Sequence, residues 1–311
     1  VSKALDELLE LLDIEEIDEN IFRGQNEQTR WGRLFGGQVA AQSLVAAGRT
    51  VEDRAPHSLH AYFLRPGDPA VPIVFTVDRI RDGSSFTTRR VVAQQRGKAI
   101  FNASVSFHKF EEGFEHSDEM PEAPNPDDLP TWQERARQAG DKVPKQARKW
   151  LEAERAIDQR STSGLAIFGD HEGQGSSLIW MKTNGKLSDD PFIHQCLLTY
   201  ASDMSLLENM IHRHVKGFSF GSVMMASLDH ALWFHAPFRM DEWVLYAQDS
   251  PAAGGGRGYA RGSVYADGKR VASVAQEGLM RPIPKPAKAS AAEAEGGASG
   301  KPARDAGNEA H

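Results

Sequence analysis

Three polar residues interrupt apolar stretches in the C-terminal half of this chain. They are Asp203 in Thr199-Tyr-Ala-Ser-Asp-Met-Ser-Leu-Leu207, Ser227 in Val223-Met-Met-Ala-Ser-Leu228, and Gln276 in Ser273-Val-Ala-Gln-Glu-Gly-Leu-Met280. A carboxylate on an apolar helix face is costly to desolvate unless it is paired. A buried amide needs several hydrogen-bond partners. Each residue alone has an ordinary explanation: a solvent-facing or capping Asp203, a Ser227 bonded to backbone, a Gln276 in water on an edge strand. Taken together, a helix, the strand after it and the last strand can converge on one cleft. There a carboxylate would act as general base, with a hydroxyl and an amide orienting the group it activates.

Other motifs point to weaker chemistry. Gly217-Phe-Ser-Phe-Gly221 matches Gly-x-Ser-x-Gly, but a nucleophile elbow needs a strand before its serine and a helix after it. Here a charged segment precedes and a β-rich run follows, so Ser219 is not read as a nucleophile. His212 and His214 have no third ligand at convincing spacing. Asp229 and His230 are adjacent, and in a strand their side chains face opposite ways, so they form no local dyad. His57 reads as a core or surface histidine. Cys196, the single cysteine, excludes an internal disulfide and reads as a helix-packing residue in a reducing compartment. Gly36-Gly37 ahead of a helix leaves backbone N–H groups open at a positive dipole end, suited to an anion or oxyanion or to close packing. Gly254-Gly-Gly-Arg257 joins two strand-like runs and reads as a hairpin.

The elements that must position these residues come in two similar sets. His57-Ser-Leu-His-Ala-Tyr-Phe-Leu-Arg-Pro66 resembles Ser227-Leu-Asp-His-Ala-Leu-Trp-Phe-His-Ala-Pro237, with His60-Ala61 aligned on His230-Ala231 and Gly97-Lys98 on Gly268-Lys269. The separation suits a duplicated domain rather than a solenoid. Leucines at helical spacing predict an amphipathic helix over 3–13. A small-residue helix follows Phe35-Gly-Gly37, then strands at 57–64, 71–81, 85–95 and 99–109, with turn signals at Arg81-Asp-Gly83 and Gln95-Arg-Gly-Lys98. The second set has a strand at 177–182, an apolar helix over 192–211, and strands at 222–234, 242–250, 257–266 and 270–281. These readings divide the chain into a first unit over 1–116, a linker over 117–175 with a helix of its own, a second unit over 176–282, and a disordered tail over 283–311. In each unit a sheet curled around a helix buries both, and pairing the two units edge to edge covers the edges that each would expose.

The 311-residue chain has 36 basic and 43 acidic residues, a net charge of −7. That balance argues against general nucleic-acid affinity, which rests on clustered Lys and Arg. No apolar run is long enough to span a bilayer, so no stable membrane insertion is expected. The N-terminus lacks the pattern of a secretion signal. A soluble, cytoplasmic protein is the expectation.

The phrases Phe22-Arg-Gly24, Phe35-Gly-Gly-Gln38, His57-Ser-Leu-His-Ala-Tyr-Phe-Leu-Arg-Pro-Gly67, Arg81-Asp-Gly83, Gly113-Phe-Glu-His116, Leu228-Asp-His230, Trp233-Phe-His235 and Gln276-Glu-Gly278 resemble the type II acyl-CoA thioesterases. The resemblance covers nearly all of the chain but the tail. It implies an α+β double hot-dog fold and hydrolysis of fatty acyl-CoA, without metal or redox cofactor. It also implies a catalytic trio of aspartate on the second helix, threonine or serine on the next strand, and glutamine on the last, matched here by Asp203, Ser227 and Gln276. Serine in place of threonine keeps the hydroxyl and loosens its rotamer. Gly37 would supply an oxyanion contact, and Arg81, Arg90 and Arg257 are candidates to meet the CoA phosphates. A homo-oligomer, dimer or tetramer, is implied as well. Two rival functions are an enoyl-CoA hydratase pairing Asp203 with His230 or His235, and a non-catalytic acyl-CoA binding module.

Overall fold

The computed structural model describes residues 2–27, 32–140, 151–164, 176–214 and 222–283. Helix α1 (Lys3–Leu12) starts at a Ser2 side-chain cap and buries Leu5, Leu8 and Leu12, as the leucine spacing requires. Two short strands, β1 (Glu15–Asp18) and β2 (Ile21–Gly24), lead to α2 (Gly36–Gly48). Then come β3 (Ala55–Phe63), β4 (Ile73–Asp82), β5 (Phe86–Gln95) and β6 (Lys98–His108). Helix α3 (Trp132–Ala139) and strand β7 (Ile157–Ser161) occupy the segment read as a linker. The second set comprises β8 (Ser176–Thr183), α4 (Pro191–Ser202), α5 (Leu206–His212), β9 (Val223–Ser227), β10 (Asp229–Phe234), β11 (Val244–Gly254), β12 (Arg257–Ala266) and β13 (Lys269–Pro282).

All strands join one sheet in the order β1-β2-β4-β5-β6-β3-β10-β13-β12-β11-β8-β7, with β9 also on β13. The two halves meet where β3 pairs antiparallel with β10, His230 opposite Ala61 and His60 opposite Ala231. This α+β architecture is the double hot-dog. β7 extends the second half by pairing with β8, so the linker segment lengthens the sheet.

The helices α2 and α4 lie against each other inside the curled sheet. A Cβ on Gly48 would stand 2.3 Å from the Phe192 ring, and one on Gly37 2.4 Å from the Tyr200 carbonyl. The helices therefore run antiparallel, with glycine allowing backbone approach at each end of α2. Between those ends Ala40, Ala41, Leu44, Ala46 and Ala47 pack in a core shared with Leu197, Leu198 and Ala201 of α4. Alanines leave little side chain between backbones, so burial here comes from close approach rather than large side chains.

Two breaks depart from the sequence expectation. The helix expected over 192–211 stops at Ser202 and restarts at Leu206. Asp and Ser side chains compete for backbone hydrogen bonds and weaken a helix interior. Here the Tyr246 hydroxyl donates to the Ser202 carbonyl (3.1 Å), and Gln248 Nε2 donates to Ser205 Oγ (2.7 Å). The strand expected over 222–234 is interrupted at Leu228, whose N–H donates to the Glu277 carbonyl and whose carbonyl accepts from Phe63 N–H.

The repeat pairing of His60 with His230 also shifts by one residue. Residues directly opposite in an antiparallel pair share a face, so His230 points inward with Ala61 and His60 outward with Ala231. His230 is 1 % exposed, against an exposed His60. The correspondence that equates Gly97 with Gly268 equates Leu59 with His230 and Tyr62 with Trp233. A one-residue slip moves every side chain to the other face.

Candidate active site

Asp203 sits at the C-cap of α4, in the gap before α5. Three elements aim donors at it. Gln276 Nε2, from β13, donates to Oδ1 at 2.8 Å, and Ser227 Oγ, from the end of β9, donates to the same oxygen at 3.3 Å. The backbone N–H of Gly37, in the first turn of α2, donates to the carboxylate as well. Gly36 completes the cradle: a Cβ there would fall 2.7 Å from Asp203 Oδ2 and 2.8 Å from the Phe63 ring. Asp203 is 7 % exposed. Burial raises its pKa above the usual carboxylate range, and the nearby His230 together with the bonds from Gln276, Ser227 and Gly37 only partly opposes that rise.

The carboxylate faces a cavity of about 480 Å³ whose wall includes Asp203, Ser227, Phe35, Phe63, Phe101 and Leu207, with Arg33 and Arg65 beside them. Apolar walls around one carboxylate and one hydroxyl suit a ligand with a hydrocarbon portion and a single polar reacting group. Arg33 Nη2 donates to the Met225 carbonyl (3.2 Å) and Arg65 Nη1 to the Ala99 carbonyl (2.7 Å). A larger, more polar hollow of about 920 Å³ borders Trp233, Tyr259, Arg261 and Arg270. It contains none of the trio, and its arginines pair with Asp249 and Asp118.

Gln276 has no exposed surface and does not line the smaller cavity; it reaches Asp203 from behind. Its Oε1 lies 3.3 Å from His230 Nδ1, and His230 Nε2 lies 2.8 Å from Ser202 Oγ. Sequence reasoning named His230 but gave it no place behind Gln276, and it missed Ser202. The only available signal was polarity inside apolar runs, and neither residue carries a spacing that distinguishes it.

The remaining candidates lie elsewhere. Arg81 is exposed on β4, its carbonyl accepting from Arg89. Arg90 pairs with Asp78 at 2.5 Å and Arg257 with Glu277 at 2.9 Å. None of the three lines the cavity. Arg33 and Arg65, which do, were not singled out in the sequence. His57 bonds Ser106 at 2.8 Å and His235 bonds Ser273 at 2.8 Å, both away from Asp203. Cys196 is fully buried, and burial pushes its thiol pKa up. Among the described residues no group of three His, Cys, Asp or Glu is placed to hold a metal ion. The Gly217–Gly221 motif lies outside the described residues.

A double hot-dog with one carboxylate, held by hydroxyl and amide donors at the wall of an apolar cavity, suits a hydrolase of acyl thioesters. Comparison with known proteins agrees. The family profile described as Acyl-CoA thioesterase matches residues 150–279, and the one described as Acyl-CoA thioesterase N-terminal domain matches residues 27–108. Acyl-CoA thioesterase 2 of Haemophilus influenzae is 38% identical over 283 residues, covering 90% of this chain and 99% of that protein. Human acyl-coenzyme A thioesterase 8 is 36% identical, covering 88% of this chain and 89% of that protein. The crystal structure of acyl-CoA thioesterase II TesB2 from Mycobacterium marinum superposes with a TM-score of 0.73 at 42% identity, covering 89% of this chain and 98% of that one. The chain belongs to the acyl-CoA thioesterase family.

Proposed function

We propose that Asp203 is the general base for hydrolysis of fatty acyl-CoA, activating a water held against Ser227, and that Gln276 fixes the carboxylate from behind. The carboxylate takes one proton as the water oxygen bonds to the thioester carbonyl carbon. The tetrahedral oxyanion then collapses and the C–S bond breaks. The departing CoA sulfur takes up the proton from Asp203, leaving the free fatty acid. The observation that carries this reading is the carboxylate at the cavity wall, with its pKa raised by burial and its orientation set by donors from three elements. A base nearer neutrality is a better match to a water proton than an ordinary surface carboxylate.

The uncapped first turn of α2 is where we place the thioester carbonyl, since its N–H groups and dipole favour developing negative charge. Gly37 takes part through that terminus, although in this structure its own N–H is on Asp203. Arg33 and Arg65 at the cavity wall are better placed than Arg81, Arg90 or Arg257 to meet CoA phosphates.

The hydratase alternative loses its histidine. Both ring nitrogens of His230 are engaged within the core, and His235 bonds Ser273 elsewhere. A covalent Ser227 ester is disfavoured because, among the described residues, no histidine bonds its hydroxyl, which donates to Asp203. Exposed Tyr62, Phe86 and Tyr259 support a homo-oligomer, which light scattering would test. Among the described residues no helix is long and apolar enough to cross a membrane. A cytoplasmic location is part of this proposal, supported by the single unpaired Cys196.

Free thiol release from a panel of saturated acyl-CoAs, for wild type and Asp203→Asn, tests the function. Turnover in wild type that collapses in the folded variant supports it. Turnover unchanged in the variant removes Asp203 from the mechanism, and silence with every chain length favours the binding module.

A further inference from the structure

Behind the cavity, four side chains form an unbroken hydrogen-bonded line: Asp203, Gln276, His230 and Ser202. The last three are buried to within 1 % of full exclusion from solvent. The direction of each hydrogen follows from the chemistry of its neighbour. An ionised carboxylate only accepts, so Gln276 must turn its NH₂ group toward Asp203 Oδ1. That leaves the amide oxygen facing His230 Nδ1 at 3.3 Å. A carbonyl oxygen also only accepts, so Nδ1 must carry a hydrogen.

On the far side, Ser202 Oγ lies 2.8 Å from His230 Nε2 and 2.9 Å from the Thr199 carbonyl. Its single hydrogen goes to one or the other, and in either case Nδ1 keeps its own. Burial lowers the His230 pKa, with Asp203 and Gln276 acting against it. A neutral ring with Nδ1–H accepts from Ser202 at Nε2. Ser202 is the last residue of α4, immediately before Asp203, so the line closes on the segment that carries the carboxylate.

We propose that His230 is a positioning residue for hydrolysis: its Nδ1–H locks the Gln276 amide in the one orientation that presents a donor to Asp203. The proposal rests on Asp203 being the base. Without His230 only the carboxylate holds the amide, and the flipped orientation, which sets its oxygen against the carboxylate oxygen, becomes easier to reach. Repulsion in that orientation displaces Asp203 from the water it must deprotonate. His230 touches neither the cavity nor substrate, so its removal should act on kcat and leave KM nearly unchanged.

Asparagine places an N–H donor close to where Nδ1–H lies, while glutamine extends its amide toward the Nε2 side. His230→Leu is expected to lower kcat about tenfold to a hundredfold, as loss of orientation alone can do, with KM within about twofold. His230→Asn should recover most of that loss and His230→Gln little of it. In a Gln276→Ala background, His230→Leu should cost less than about threefold, because residues acting through one another are not additive. Losses that multiply in the double variant, or equal rescue by Asn and Gln, would overturn the assignment, as would an unchanged kcat in His230→Leu.

Should His230→Leu fail to fold, ¹⁵N shifts of the wild-type imidazoles decide the matter. Hydrogen on Nδ1 of the ring assigned by loss of its signal in His230→Asn is expected, and a neutral ring protonated at Nε2 alone would refute the proposal. Asp203→Asn is assayed alongside. If it retains turnover, the base assignment has failed; if it is inactive while His230→Leu is normal, only the role of His230 has failed.

Discussion

The two halves of the sheet each bury polar side chains against a central helix, and they use them for opposite ends. In the first half, Gln38 and Gln42 of α2 are wholly buried amides. Gln42 Nε2 donates to the Leu11 and Gln25 carbonyls at 2.8 and 2.9 Å, and Gln38 Nε2 reaches Gln25, Asn26 and Gln42. These groups are neutral, and their bonds tie the N-terminal segment to the helix. In the second half the helix breaks, and the buried group at the break is a carboxylate that meets a cavity on one side and donors on the other. Polar burial in a core is thus structural where every bond closes on the protein. In the proposed mechanism it becomes catalytic where a charge is left one open side.

The strongest test of that contrast is Asp203→Asn. Loss of the base should lower kcat about 10²–10⁴-fold. Because the folded pKa of Asp203 is raised, the native chain holds that proton more tightly than the unfolded chain. Its contribution to stability is therefore fullest at low pH and declines as pH rises through the folded value, leaving an ionised group that costs stability above it. The variant should match or exceed wild type in Tm at neutral pH while losing activity. For the wild type, kcat/KM should rise with pH along an acid limb displaced upward from an ordinary aspartate, and a pH series should show that limb missing in the variant.

Next in size is Gly36→Ala. Its Cβ would fall 2.7 Å from Asp203 Oδ2, so the carboxylate must move. A displacement of that kind is expected to cost about tenfold to a hundredfold in kcat, measured by thiol release with folding checked by circular dichroism. Ser227→Ala removes one long hydrogen bond, 3.3 Å, to the Asp203 carboxylate, and about a threefold to tenfold fall in kcat is expected, with Ser227→Thr close to wild type. Arg65→Ala should leave kcat intact and raise KM about threefold, since an exposed cation contributes little; saturation curves would show the split.

The first half supplies the control. Gln42→Ala strips partners from the Leu11 and Gln25 carbonyls, and a stability loss of about 1–3 kcal/mol is expected. Denaturant melts should register that loss while kcat stays at the wild-type value. A fall in kcat matching that of Asp203→Asn would erase the distinction between the halves.

Much of this was legible in the residues. The strand expected over 85–95 is β5, Phe86–Gln95, and that over 257–266 is β12, Arg257–Ala266, because alternation and glycine turns are local signals. Asp203, Ser227 and Gln276 stood out for the same reason: each is polar within an apolar run. The break at Asp203 was not legible, since the helix signal on either side is apolar and continuous. It depends on Tyr246 and Gln248, donors brought in by a strand distant in sequence.

The sequence by itself determined the duplicated plan, most of the strand and turn positions and the candidates for chemistry, all of which rest on periodicity and residue type. The tertiary structure alone decided which histidine faces the core. His60 and His230 sit in similar phrases, yet one residue of register places the first on the outer face and the second behind Gln276. It also decided which arginines stand at the cavity. A long cationic side chain looks the same in sequence whether it faces solvent or a cavity, and only the fold distinguishes Arg65, in the bend after β3 at the cavity wall, from Arg90, paired with Asp78 on β5.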